Sequence, residues 1–208
     1  MKKIVFAVVL FCTCAIQAAE VASSVEEKAA LCVACHGAKG ISTNPEWPSL
    51  AGQHAKYLLK QMIDFKKGST RNAPTMTAIL ANLNEQDMAA LAEFYAKLPL
   101  PEGSVPKKYL KRGEQLYRGG DFDKHITACI ACHGPRGTGN EQAGFPVLSG
   151  QHALYTIQQL QAFKDQKRKN DLNSIMRDIS ARMSPDDMAA VAYYMQGLHL
   201  TFNLGLIA

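Results

Sequence analysis

The sequence predicts an all-α protein made of two tandem helical domains of one kind, related by duplication and joined by a proline-rich linker. Three observations carry this. Apolar residues recur at helical spacing, no stretch alternates as a half-buried strand does, and the second half of the 208-residue chain repeats the first.

The repeat is specific. Cys32-Val-Ala-Cys35-His36-Gly37 returns as Cys129-Ile-Ala-Cys132-His133-Gly134, shifted by 97. Pro48-x-Leu-Ala-Gly52-Gln53-His54-Ala55-x-Tyr57 returns as Pro146-x-Leu-Ser-Gly150-Gln151-His152-Ala153-x-Tyr155, shifted by 98. Phe65, Lys66 and Asn72 match Phe163, Lys164 and Asn170 at that same shift. Met76 and the run Asp87-Met88-Ala89-Ala90 match Met176 and Asp187-Met188-Ala189-Ala190, shifted by 100. An offset that grows only by small insertions means a duplicated domain of about 95 residues, not a short-period solenoid. The seam at 98–106 holds three prolines and a glycine, which break any helix. The expected division is a leader over 1–19, a first domain over 20–98, a linker over 99–107 and a second domain over 108–208.

Each copy reads as a bundle of three to five helices. Residues 25–35 and 108–117 are rich in helix formers, and 55–66 sets Leu58, Leu59, Met62 and Phe65 on one stripe. The last helix of each copy has a readable start. Asn84 and Ser184 are N-cap residues, with Asp87 and Asp187 three positions on, and Pro185 stands where its missing N–H costs nothing.

Composition narrows the class of function. The chain is 47% hydrophobic and 20% charged, enough to bury a core. Residues 4–16 are apolar but fall short of the roughly 20 residues a bilayer span needs. Two lysines precede them and Ala18-Ala19 follow, the pattern of a cleaved signal peptide, so the mature protein is expected to be exported. Loss of Lys2 and Lys3 leaves 21 basic against 18 acidic residues, too mild an excess to support nucleic-acid binding. Loss of Cys12 and Cys14 leaves only the cysteines of the two C-x-x-C-H motifs.

A covalently held haem needs two thiols to bond its vinyl groups and an imidazole beneath the iron. Cysteines at i and i+3 share one helix face, and the adjoining histidine then points at the metal. Cys32, Cys35 and His36, and Cys129, Cys132 and His133, are therefore read as attachment sites for two haem c groups. A thioredoxin-like dithiol needs a βαβ setting that is missing here, and a shared zinc site would have to join pairs lying in separate repeats.

For the sixth position on iron the repeat offers few aligned pairs. His54 and His152 stand at helix starts, where an exposed or hydrogen-bonding role is the plainer reading. Met88 and Met188 occupy the fourth position of a capped helix, with Leu83 and Met183 just before the cap, which is hydrophobic-staple packing. Met76 and Met176 follow polar, breaker-containing segments, where a loop is expected to aim a thioether at iron. They are the expected distal ligands. Six steps separate Asn170 from Met176 against four from Asn72 to Met76, so the second loop is longer and lacks a counterpart of Pro74.

Taken with these motifs, the whole mature chain resembles the cytochrome c4 family, the dihaem branch of the class I cytochromes c. The resemblance implies a periplasmic electron carrier with His/Met iron in both domains, which face each other about a pseudo-twofold axis. It implies that the Pro48 and Pro146 carbonyls accept the proximal-histidine Nδ1–H. It also implies that Tyr57 and Tyr155 reach haem propionates, unless they serve only in packing. Expected partners are redox proteins such as a membrane cytochrome complex or a terminal oxidase, and a membrane-peripheral position is compatible with this.

The competing reading is a haem enzyme or an enzyme's cytochrome subunit, either dihaem peroxidase-like or dehydrogenase-associated. Lys66-Lys67, Lys164 and Lys167-Arg168-Lys169 end the second helix of each copy, as solvated helix ends or as a basic rim for docking.

Overall fold

A computed structural model describes residues 25–199; the expected leader lies outside the described residues. Helix α1 spans 25–36 and carries the first Cys-x-x-Cys-His on its final turns. It is followed by α2 (Ala55–Lys67), α3 (Pro74–Leu80) and α4 (Glu85–Ala96). The second copy runs through α5 (Lys107–Gly119), α6 (Ile130–His133), α7 (Ala153–Lys164), a 3-10 turn (Leu172–Ser174), α8 (Ile175–Ala181) and α9 (Pro185–Gln196). Among the described residues β pairing is confined to isolated bridges.

Local chemistry sets the helix ends. Helix α2 stops at Gly68, whose φ of 69° is left-handed and whose N–H returns to the Asp64 carbonyl. Helices α4 and α9 both open on complete capping boxes: the Asn84 and Ser184 side chains accept from the N–H of Asp87 and Asp187, whose carboxylates accept in return. In the second copy the helix and the cysteine motif are separated by an extra turn, closed where Asp121 and Ile126 exchange two backbone bonds of 2.9 Å.

In each copy the helix after the cysteine motif packs on the last helix, α2 on α4 and α7 on α9, with α3 and α8 against α2 and α7. Leu58, Leu80, Leu83, Met88, Leu91 and Tyr95 form one core. Leu116, Tyr117, Leu160, Met183, Met188, Val191 and Tyr194 form the other. Helix α5 crosses α9 closely at Gly113, where a Cβ would meet the Ala190 carbonyl oxygen at 2.4 Å and Tyr194 Cβ at 2.5 Å. Residues 97–106 run between the domains, and Gly150 lets them pass, since a Cβ there would lie 1.9 Å from the Pro101 carbonyl oxygen.

One local expectation needs correcting. Met76 and Met176, expected on loops, each lie in the first turn of a short helix, α3 or α8. Pro74 explains the first: its fixed φ suits the opening helical position, and Ala73 before it is extended. The second copy has no such proline. It enters α8 through left-handed Asn173 (φ 49°) and Ser174 (φ 62°), and these positions absorb the longer insertion.

Candidate cofactor sites

Each motif histidine is buried and tethered. His36 Nδ1 lies 2.8 Å from the Pro48 carbonyl oxygen and His133 Nδ1 lies 2.9 Å from that of Pro146. A carbonyl only accepts, so Nδ1 carries the proton and Nε2 keeps its lone pair. Both rings are 7% exposed. Burial lowers both pKa values, and the carbonyl bond opposes it only in part. A neutral imidazole with its far nitrogen free is a metal donor.

The four motif cysteines are unpaired thiols. Burial pushes the Cys129 thiol up to about 12 and raises that of Cys32 as well. The attacking cysteine of a redox dithiol has a depressed pKa, the opposite of the direction at Cys32 and Cys129. Among the described residues no cluster of three or more His, Cys, Asp or Glu converges to hold a metal ion, which leaves the motifs as two separate sites.

The methionines divide into two groups. Met88, Met183 and Met188 are 4%, 2% and 1% exposed, inside the cores, as the helix-start packing predicted. Met76 is only partly buried, against the same core as Cys32, and Met176 stands in the same relation to Cys129. The structure thus brings thiol and candidate thioether to one core in each domain. The residues fit a macrocycle bonded at the cysteines, with imidazole and thioether available to its metal.

The interface between domains gives the repeated glutamines Gln53 and Gln151 a role that their sequence does not show. Gln53 Nε2 donates to the Val147 carbonyl at 2.9 Å, and Val147 N–H donates back to Gln53 Oε1 at 2.9 Å. Gln151 repeats this on Ser49, at 2.9 and 3.0 Å. His54 Nε2 donates to the Thr138 carbonyl (2.9 Å) and His152 Nε2 to that of Ser42 (2.8 Å). The Gly-Gln-His repeat is therefore an interdomain clasp, and these histidines have the hydrogen-bonding role.

Beside the clasp sit two buried guanidiniums. Arg71 donates to Gln61, Gln159 and Tyr155; Arg168 donates to Gln61, Gln159, Asn170 and Tyr57. Arg168 is 7% exposed, so it does not belong to a basic docking rim. The reason is its place: its backbone bridges Arg71 across the boundary. Lys66 and Lys164 are not free at their helix ends either, since each donates to a backbone carbonyl, of Leu83 and Met183. Gln61 recurs as Gln159 at the 98-residue offset of the neighbouring motifs, whereas Arg71 and Arg168 lie 97 apart, one residue out of that register, so the repeat points to the glutamines and not to the arginine pair.

Two C-x-x-C-H motifs, each on an all-α domain with a carbonyl-tethered histidine, define a two-domain c-type cytochrome. Comparisons agree. The cytochrome c family model matches twice, over residues 27–99 and 110–199. Cytochrome c4 of Pseudomonas aeruginosa is 45% identical over 179 residues, covering 86% of this chain and 89% of that protein. The crystal structure of reduced recombinant cytochrome c4 from Pseudomonas stutzeri superimposes with a TM-score of 0.82 at 42% identity, over 85% of this chain and 98% of that one. A protein of Thiomonas intermedia named thiosulfate dehydrogenase electron acceptor is 38% identical over 81% of this chain and 78% of its own length. The chain belongs to the cytochrome c family, in its two-domain cytochrome c4 branch. It is an electron carrier with two covalently attached haem c groups.

Proposed function

We propose that Cys32 and Cys35 hold one haem and Cys129 and Cys132 the other, with His36 and Met76, and His133 and Met176, as the axial pairs. The observation that carries this is the pair of buried neutral histidines, each beside its cysteines and each with Nε2 left over. Haem c supplies a one-electron Fe(III)/Fe(II) couple. The chain's residues fix that couple's surroundings: imidazole on one side and thioether on the other, a combination that favours Fe(II) more than a second imidazole would.

Arg71 and Arg168 add to this reading. Their direct partners are neutral amides and phenols; burial and the neighbouring Arg71 charge push the Arg168 pKa down, whereas the Tyr155 and Tyr57 oxygens and Asp64 hold that of Arg71 up against its burial. Two buried cations side by side call for anions. Haem propionates meet that need, so Tyr57 and Tyr155 act on them through the arginines they bond.

The protein then serves as a periplasmic shuttle between redox proteins, its donors and acceptors of the class of a membrane cytochrome complex, a terminal oxidase or a thiosulfate-oxidising enzyme. The longer insertion before Met176 does not favour a releasable ligand. Asp171 accepts from Arg177 N–H at 3.0 Å and from its Nε at 2.7 Å, which ties that segment to α8. The test is carbon monoxide added to the ferrous dihaem protein at neutral pH. No binding is expected at either iron; stoichiometric binding at one would make the enzyme reading the better one.

A further inference from the structure

The Pro48 carbonyl and the Ser49 N–H belong to one peptide group, as do the Pro146 carbonyl and the Val147 N–H. Each of these peptides is bonded at both ends, and the two bonds go to different domains. On one side His36 Nδ1–H donates to the Pro48 carbonyl at 2.8 Å, while Ser49 N–H donates to Gln151 Oε1 at 3.0 Å. On the other, His133 Nδ1–H donates to the Pro146 carbonyl at 2.9 Å, while Val147 N–H donates to Gln53 Oε1 at 2.9 Å. Both chains cross the domain boundary, in opposite directions.

We infer that Gln53 and Gln151 are positioning residues that tune the haem of the opposite domain: Gln53 acts on the His133 side and Gln151 on the His36 side. The inference rests on the proposed axial roles of these histidines. An amide whose N–H is already donating has a more negative carbonyl oxygen, because hydrogen bonds in a chain polarise one another. That oxygen draws harder on the histidine Nδ1–H, which makes the imidazole a stronger donor and favours the ferric state. Each glutamine also donates to the carbonyl of the residue it caps, at 2.9 Å in both cases, so its acceptor is held in place from two sides. Gln53 is 7% exposed, and water does not readily replace it.

The test uses the intact dihaem protein with Gln53→Met, which keeps the side chain's length and removes both polar atoms. At a fixed solution potential the ferric:ferrous ratio of the second haem should fall about twofold, as expected from weakening the His133 Nδ1–H bond by about 10–30%. The first haem should not move. Gln151→Met should reverse the pattern. A shorter change, Gln53→Asn, withdraws the same acceptor should the first variant fold poorly, and the same selectivity is expected. In the ferrous protein the His133 Nδ1–H proton resonance should shift upfield in Gln53→Met while that of His36 stays.

Equal shifts at both haems, a shift only at the variant's own haem, or no shift at all would overturn the inference. If the wild-type His133 resonance showed no ring-current displacement by a haem, the proposed ligand assignment would fail instead, and the two failures stay distinct.

Discussion

Arg71 of the first domain donates from Nη2 to the Tyr155 hydroxyl of the second at 2.7 Å, and Arg168 returns the bond to Tyr57 at 2.8 Å. These reciprocal bonds tie the segment after α2 to α7 and the segment after α7 to α2, through groups that carry charge into a buried seam. Removing one hydroxyl should therefore cost more than an exposed contact would. Tyr155→Phe is expected to destabilise the protein by about 1.5–3 kcal/mol, the range for a hydrogen bond to a charged group, measured by denaturant unfolding of the holoprotein.

Arg71→Gln should act on the redox equilibrium as well. Losing a buried positive charge favours the ferric form, so at least one midpoint potential should fall. An unchanged pair of potentials in a redox titration would show that the arginines do not sit close enough to the haems to influence them.

The methionine assignment is tested by contrast. Met176→Ala should open one iron to carbon monoxide, lower that haem's potential and leave the other haem's ligation intact. Met183→Leu should do none of this, because Leu83 occupies the equivalent place in the first core and a volume-conserving swap costs under about 1.5 kcal/mol. If Met183→Leu abolished the sulfur-to-iron charge-transfer band of the second haem while Met176→Ala spared it, the distal ligand would lie seven residues later than proposed.

Acid should undo the second domain through Asp187. Burial raises its pKa, but bonds from Lys124, Arg112 and Ser184 outweigh this and hold it well below the ordinary carboxylate range. The folded state thus favours the ionised form. Its contribution is present above the unfolded value near pH 4 and is lost as pH falls through the lower folded one. Asp187→Asn should flatten the acid limb of the stability curve, and at neutral pH cost about 0.5–2 kcal/mol for the weakened cap. Unfolding curves from pH 7 down to pH 2, with and without the substitution, check this.

What the sequence made legible was what is local. The stripe through Leu58 and Phe65 foretold α2, and Asn84 with Asp87 and Ser184 with Asp187 marked two helix starts as they occur. The staple geometry also placed Met88, Met183 and Met188 in the cores. The interface was not legible from single motifs. Gln53 and Val147 meet 94 residues apart, and neither spacing nor propensity points from one to the other. Arg168 reads in sequence as part of a basic run for the same reason: its partners Tyr57 and Gln61 lie more than 100 residues away. The polar segments before Met76 and Met176 point to loops, but Pro74 starts a helix as readily as it ends one.

The central claim is two His/Met haems on one chain, and redox-titrated optical spectroscopy of the mature protein, with its intact mass, tests it most directly. The expected result is a mass greater by two haems, low-spin iron throughout, a sulfur-to-iron charge-transfer band from both ferric sites and two one-electron steps. A disulfide at Cys32–Cys35 or Cys129–Cys132, a single haem, or a ferric site without the sulfur band would contradict it.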